Sequence, residues 1–226
     1  RRPDGRGLVF PDLRRGRCRQ GACYAVGDVQ RDAVQGAARG ISVRGYGVGM
    51  CGVLFAMSAV CLAQDMGLLW VAVEATTLAT APLIYYRKSQ GALEATWKYL
   101  LICSVGIALA LLGTFLMAAA ANNAGTVTLH VRGLAAIAPS LDANLMKAAF
   151  IFLLVGYGAK MGLAPMHNWL PDAHSESPSP VSALLSGTLL NGAFLAILRA
   201  MDIMQSAGLG EFASGLLRLF GLFSMG

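Results

Sequence analysis

The chain has 226 residues, of which 56% are hydrophobic and only 13% are charged, and its mean hydropathy is +0.58. Soluble domains carry roughly a quarter charged residues, and disordered chains combine low hydrophobicity with high net charge, so the composition excludes both classes. The five cysteines follow no spacing of a metal module or a disulfide framework. The composition therefore predicts an all-α, polytopic membrane protein.

The net charge of +6 comes from the first fifth of the chain. Residues 1–45 contain ten of the eighteen basic residues, all arginine, whereas residues 46–226 contain eight basic and eight acidic residues. A polybasic arm for anionic lipid and a mitochondrial-type presequence are two interpretations of this Arg/Gly-rich leader. We favour a third, an out-of-frame translation of GC-rich DNA, and expect the segment to be disordered or an artefact. No recognition motif accompanies the arginines, so we expect no nucleic-acid binding.

Apolar runs recur from residue 46 onward, each near the roughly twenty residues needed to cross a bilayer. A soluble bundle would show a charged stripe on each helix, and these runs lack one. They predict membrane-spanning helices at residues 46–64, 67–86, 95–121, 144–164 and 180–201, and the start of another near residue 212. The chain begins without methionine and stops inside an apolar run, so we expect residues 46–226 to be part of a longer transmembrane domain.

Basic residues next to the predicted spans indicate an orientation. Arg87 and Lys88 follow the second span directly and Lys98 lies nearby, so the positive-inside rule places this loop in the cytoplasm. The loop between the fourth and fifth spans then also faces the cytoplasm. Arg132 and Arg199 count against this orientation.

Two charged residues fall inside predicted spans. Glu74 lies near the middle of the second span and Lys160 in the last third of the fourth. A charge at the bilayer centre costs about 2.5–3.5 kcal/mol on insertion scales, so each needs a partner or water. The pair is interpreted either as a proton relay or as a buried ion pair that only fixes helix packing. Glycines around Lys160, followed by Pro165, predict a broken helix there, the alternative being a helix end from which Lys160 snorkels to the interface.

The most polar stretch of the membrane part is residues 167–180. His167 and His174 are seven residues apart and would share a face of a helix. A proton relay or an interfacial loop fits them better than a metal site, because no third ligand follows at a usual spacing. Trp169 is expected to be an interfacial anchor. Asn191 is a polar residue inside the fifth span.

Two segments of the sequence resemble a known family. Residues 156–187, GYGAKMGLAPMHNWLPDAHSESPSPVSALLSG, resemble the signature region of the antiporter-like proton-translocating subunits shared by complex I and Mrp-type antiporters. Residues 68–114 resemble a narrower branch, component F of the hydrogenase-4 and formate hydrogenlyase type of group 4 membrane-bound hydrogenases. The resemblance implies two inverted five-helix repeats, of which this chain holds the first and the start of the second.

The resemblance also implies roles for particular residues. Glu74 would be the acid of the first half-channel and Lys160 its partner on the broken helix, alternately protonated. His167 and His174 would lie near a cytoplasmic proton entrance. Many complex I relatives carry a second lysine where Asn191 stands, and an amide cannot hold a proton at neutral pH.

The implied function is proton movement across a prokaryotic inner membrane, coupled to electron transfer in partner subunits. The implied partners are the lipid bilayer, other membrane subunits and a peripheral arm with nickel–iron and iron–sulfur centres. The chain itself would be a subunit of an oxidoreductase that binds no redox cofactor and no metal. An Mrp-type cation/proton antiporter and a purely structural membrane subunit are the alternatives.

Overall fold

The computed structural model describes residues 43–126 and 128–225, so most of the Arg/Gly-rich leader lies outside the described residues. The described chain folds into helices joined by short connections, which confirms the predicted all-α bundle. The helices are α1 (Val43–Leu62), α2 (Met66–Ile84), α3 (Gln90–Asn123), α4 (Val131–Ile137), α5 (Ala143–Met161), α6 (Trp169–Glu176), α7 (Ser179–Leu184), α8 (Leu190–Ser206) and α9 (Gly210–Met225). A π-helical turn, Leu185–Leu189, joins α7 to α8.

Four helical stretches of the described chain are long and apolar enough to cross a membrane. They are Arg44–Leu62, Met66–Arg87, Gln90–Asn123 and Ser179–Ser206. Helix α5, the fourth predicted span, is less apolar because it carries two lysines. At 1.5 Å per residue, α3 is roughly 50 Å long, so it must tilt or project beyond the hydrocarbon core.

Side-chain caps set where several helices begin. Asp65 accepts hydrogen bonds from the backbone N–H groups that open α2, and Ser89 does the same for α3. Because Ser89 caps it, α3 begins five residues before the predicted start at residue 95. Helix α5 ends at Met161, one residue after Lys160, because Gly162 takes a left-handed conformation (φ 83°). The predicted span to residue 164 is therefore too long, and residues 162–168 form turns before the chain becomes helical again.

Helices α3 and α5 approach each other at backbone distance. A Cβ atom on Gly156 would lie 2.6 Å from the Ala110 nitrogen, and one on Gly113 would lie 2.8 Å from the Ala149 oxygen. Gly106 faces the Gly156 carbonyl in the same seam. Small residues allow this close packing between membrane helices. The seam fixes the end of α5, and with it Lys160, against α3.

The connections between helices gather at two ends of the bundle. At one end the link from α1 to α2 pairs with the segment before α4, through Met66 N to Leu129 O (3.0 Å) and Val131 N to Gln64 O (2.9 Å). At the other end Ser89 donates to Glu176 (3.1 Å), which joins the start of α3 to α6. The loop after α2 and the segment after α5 therefore lie at the same end, as alternating spans require.

Arg199 of α8 caps the last carbonyl groups of α1. Its guanidinium donates to the carbonyl oxygens of Val60 (3.2 Å), Cys61 (2.8 Å) and Ala63. The last turn of a helix leaves carbonyl groups without intrahelical partners, and Arg199 binds two of these in α1 together with the carbonyl group of Ala63, the residue that follows α1. Arg199 counts against the predicted orientation, and these hydrogen bonds give it a structural role at the end of α1.

Candidate functional site

Lys160 is fully buried at the end of α5. Its Nζ atom donates hydrogen bonds to Thr77 Oγ1 of α2 (2.6 Å) and to the Tyr99 hydroxyl of α3 (2.8 Å). The alternative in which Lys160 snorkels to the interface is therefore wrong. The seam between α3 and α5 turns the side chain inward, where two hydroxyl groups bind the ammonium.

A chain of hydroxyl groups continues from Lys160 into α2. The Tyr99 hydroxyl lies 2.6 Å from Thr80 Oγ1, and Thr80 donates to the Thr76 carbonyl oxygen at 2.8 Å. Lys160 Nζ also lies 4.9 Å from the centre of the Tyr99 ring, a cation–π contact.

Trp169 packs beneath this network instead of lying at the membrane surface. It is fully buried, its ring centre lies 5.1 Å from that of Tyr99, and its Nε1 donates to the Ala159 carbonyl oxygen at 3.0 Å. The predicted interfacial anchor is therefore wrong. The chain changes direction at Gly162, which brings the Trp169 indole to the carbonyl group of Ala159, the residue before Lys160.

Glu74 lies one turn before Thr77 on α2 and is half-buried. It forms no direct ion pair with Lys160, although the two charges interact electrostatically. Thr77, which accepts the hydrogen bond from Lys160, follows Glu74 by three residues on α2. Its Oε2 atom is buried without a hydrogen-bond partner among the described residues. Thr77 therefore is next to Glu74 on α2 and in contact with Lys160.

The other predicted site residues lie apart from Lys160. His167 is exposed in the turn before α6, so it does not share a helix face with His174, and that expectation is wrong. His174 lies on α6 with its Nδ1 atom 2.6 Å from Ser182 Oγ, and burial lowers the pKa of the imidazole, which favours its neutral form. Asn191 is exposed on α8 and donates to the Gly187 carbonyl oxygen at 2.7 Å.

Sequence reasoning did not single out the residues that hold Lys160. Thr77 and Thr80 follow Glu74 at helical spacing, so three polar groups share one face of an otherwise apolar helix. That pattern was a usable signal. Tyr99 had no comparable signal, because a tyrosine in an apolar run is equally typical of an interface.

A buried lysine, a nearby carboxyl group and a hydroxyl network inside a bundle of apolar helices define a class: membrane proteins with ionisable groups buried among their helices. Residues 63–225 match the family described as NADH:quinone oxidoreductase/Mrp antiporter, TM, and the chain belongs to this family. The resemblance noted from residues 68–114 and 156–187 is thereby confirmed, and the chain is membrane-embedded.

Individual relatives agree with this assignment. The chain is 43% identical over 176 residues to the hydrogenase-4 component F homolog of Methylacidiphilum infernorum (isolate V4), an alignment that covers 76% of this chain and 37% of the relative. It superposes on a chain of respiratory complex I from Thermus thermophilus with bound aureothin, with a TM-score of 0.57 and 25% identity, covering 75% of this chain and 44% of that one.

The fold also matches a chain of the membrane-bound sulfane sulfur reductase, an archaeal respiratory membrane complex. That match has a TM-score of 0.67 and 23% identity, and it covers 74% of this chain and 33% of the other. The chain thus spans less than half the length of each of these relatives.

Proposed function

We propose that the chain is part of a proton-translocating, antiporter-like membrane subunit of a redox complex of the hydrogenase-4 type, in a prokaryotic inner membrane. Its partners would be other membrane subunits and a peripheral arm with nickel–iron and iron–sulfur centres. One observation carries the proposal: Lys160 is fully buried on neutral hydroxyl groups, while Glu74, with an unpartnered carboxylate oxygen, lies one turn before Thr77 on α2.

The relay follows from the charges of the two groups. Lys160 without a contact carboxylate can gain and lose a proton without breaking an ion pair, and its charge changes the energy of ionised Glu74. A charge that moves near Glu74 in a neighbouring subunit would therefore shift the proton on Lys160. His174 and the exposed His167 would lie on the entry side with α6, and Asn191 would order water beyond Lys160.

Lys160→Ala and Glu74→Gln test the relay in the full-length protein within its complex. In inverted membrane vesicles, acidification of the lumen is measured with formate, reduced ferredoxin and NADH supplied in turn as electron donor. Both variants should lose acidification while the complex keeps its assembly. Lys147→Ala and Glu94→Gln are the matched controls, since they remove the same charges outside the buried network, and both should behave as wild type.

Other results would decide between the alternatives. Acidification that survives both Lys160→Ala and Glu74→Gln would overturn the relay. Loss of assembly in both variants would favour the structural subunit. Acidification driven by an imposed sodium gradient without any electron donor would favour the Mrp-type antiporter over a redox-coupled pump.

A further inference from the structure

A cavity lies where the first turn of α1 meets the last turn of α2 and the residues that follow it. Its volume is about 310 Å³, and its lining includes Gly45, Tyr46, Pro82, Tyr85, Tyr86 and Lys88. Both helices are long and apolar enough to cross a membrane, and the cavity is at their ends. It is therefore at the level of the lipid headgroups, away from the buried network around Lys160.

Three tyrosines form one wall of the cavity. The ring centres of Tyr46 and Tyr86 are 4.9 Å apart, and Tyr86 is only 8% exposed, so the bundle holds its ring in place. Tyrosine is enriched at membrane–water interfaces because its ring is apolar and its hydroxyl group is polar. Such a wall suits a ligand that has both a polar and an apolar part.

Lys88 adds a positive charge to this wall. Its backbone is left-handed (φ 48°), and within the described part of the chain it is the only residue other than glycine with a positive φ. That conformation costs free energy in a residue with a Cβ atom, and such residues are frequent where a ligand is held. The Lys88 ammonium forms no ion pair with another described residue. The cavity therefore presents an uncompensated cation.

Exposed apolar side chains continue from the cavity along both helices. Val48 follows Gly45 by three residues and Leu78 precedes Pro82 by four, so each shares a helix face with a residue of the cavity. Val48 is 73% exposed and Leu78 is 62% exposed. A free inorganic anion would leave these faces uncovered, whereas the acyl chains of a lipid would cover them. The surroundings of the cavity therefore favour a lipid as its occupant.

We propose that the cavity binds the headgroup of an anionic phospholipid, whose acyl chains lie along the exposed faces of α1 and α2. The Lys88 ammonium donates hydrogen bonds to the phosphate oxygens, and the tyrosine hydroxyl groups bind the polar part of the headgroup. Basic pockets beside membrane helices bind anionic headgroups through the same chemistry. The bound lipid links the start of α1 to the end of α2, independently of the proton relay.

The charge of Lys88 is tested by native mass spectrometry of the full-length protein in detergent. The delipidated protein is titrated with dioleoyl phosphatidylglycerol or with dioleoyl phosphatidylcholine, which has the same acyl chains and no net charge. Lys88→Gln should weaken binding of the phosphatidylglycerol by about tenfold, because a hydrogen bond from a charged donor is lost, and should not change binding of the phosphatidylcholine. Arg132→Gln removes an exposed charge at the opposite end of the bundle and should change neither affinity.

A pair of glycine substitutions tests the cavity itself. A Cβ atom added at Gly45 or at Gly47 would have no atom within 4 Å, so both positions in α1 accept a larger side chain. Only Gly45 lines the cavity. Gly45→Phe should therefore fill the space and abolish binding of the first phosphatidylglycerol molecule, while Gly47→Phe should bind it as wild type does. If Lys88→Gln does not fold, these two variants decide the test.

Several results would overturn the lipid site. Wild type could bind both lipids equally well, or Gly45→Phe and Gly47→Phe could weaken binding to the same extent. Inorganic phosphate alone could raise the melting temperature as much as phosphatidylglycerol does, which would assign the cavity to a free anion. Finally, the purified complex could carry no more phosphatidylglycerol with the wild-type protein than with Gly45→Phe, which would show that a partner subunit covers the cavity.

Discussion

Lys160 is bound by hydroxyl oxygens and not by a carboxylate. Thr77 and Tyr99 are neutral, so they solvate the ammonium group without neutralising it at contact distance. Glu74 supplies negative charge from further away. A buried charge needs such compensation, because its transfer from water into an apolar interior is costly. The two hydroxyl groups give the Lys160 side chain hydrogen-bond partners in either protonation state.

Thr77→Val tests this hydroxyl environment at the scale of one residue. The substitution nearly preserves shape but removes one of the two acceptors of Lys160, and a hydrogen bond to a charged group contributes about 1.5–3 kcal/mol. We expect vesicle acidification to fall by about tenfold or more, with assembly retained. Thr114→Val is the control, because the Thr114 hydroxyl is equally buried but binds only the Ala110 carbonyl oxygen of its own helix. Equal effects of the two variants would contradict the assigned role of Thr77.

Helices α3 and α5 form the rigid part of the site. Their backbones meet at Gly106, Gly113 and Gly156, where an added Cβ atom would lie 2.6–2.8 Å from atoms of the other helix. The segments that follow α5 are different, since they contain turns, two short helices and a π-helical turn. Movement during proton transfer is therefore expected in α6, α7 and the π-helical turn, and not in the glycine seam.

Gly156→Ala tests the seam. The added Cβ would lie 2.6 Å from the Ala110 nitrogen and 2.7 Å from its Cβ, and the backbone atom cannot move aside. We expect destabilisation by about 1–3 kcal/mol, the usual cost of overpacking. The melting temperature of the detergent-solubilised full-length protein would measure it. Gly215→Ala in α9 has open space around the new Cβ and should be neutral or stabilising, so a melting temperature lowered equally in both variants would contradict the argument.

The long helices were predictable because each leaves a local apolar run, while the short helices α4 and α6 and the contacts of the site were not. Thr77 and Tyr99 are 83 and 61 residues from Lys160, and which side chains meet depends on the glycine seam. The expected shared face of His167 and His174 assumed one continuous helix, but α6 begins only at Trp169. The pairing of Glu74 with Lys160 as a relay stays a prediction.

The whole molecule has two distinct ends. The end that carries Arg87 and Lys88 also holds α6, where Asp172 forms an exposed ion pair with Lys98 of α3 at 2.9 Å. The opposite end joins the start of α2 to the segment before α4. The positive-inside rule assigns the first end to the cytoplasm.

Labelling of single cysteines tests this orientation in the full-length protein, in a background without the native cysteines. Ser175 and Ser140 are both exposed and lie at opposite ends of the bundle. A membrane-impermeant maleimide added to spheroplasts should modify Ser140→Cys at once and Ser175→Cys only after the membrane is opened. The reverse order would place α6 on the outer face and would contradict a cytoplasmic proton entrance.

The cap of Arg199 on α1 has a consequence for the time course of biogenesis. The guanidinium reaches the Val60 carbonyl oxygen across 139 residues of sequence. At roughly 5–20 residues per second, a ribosome makes the arginine on the order of ten seconds after it has made the end of α1. During that interval the last carbonyl groups of α1 must be bound by water or by the translocation machinery. The first helix therefore reaches its final state only when α8 arrives.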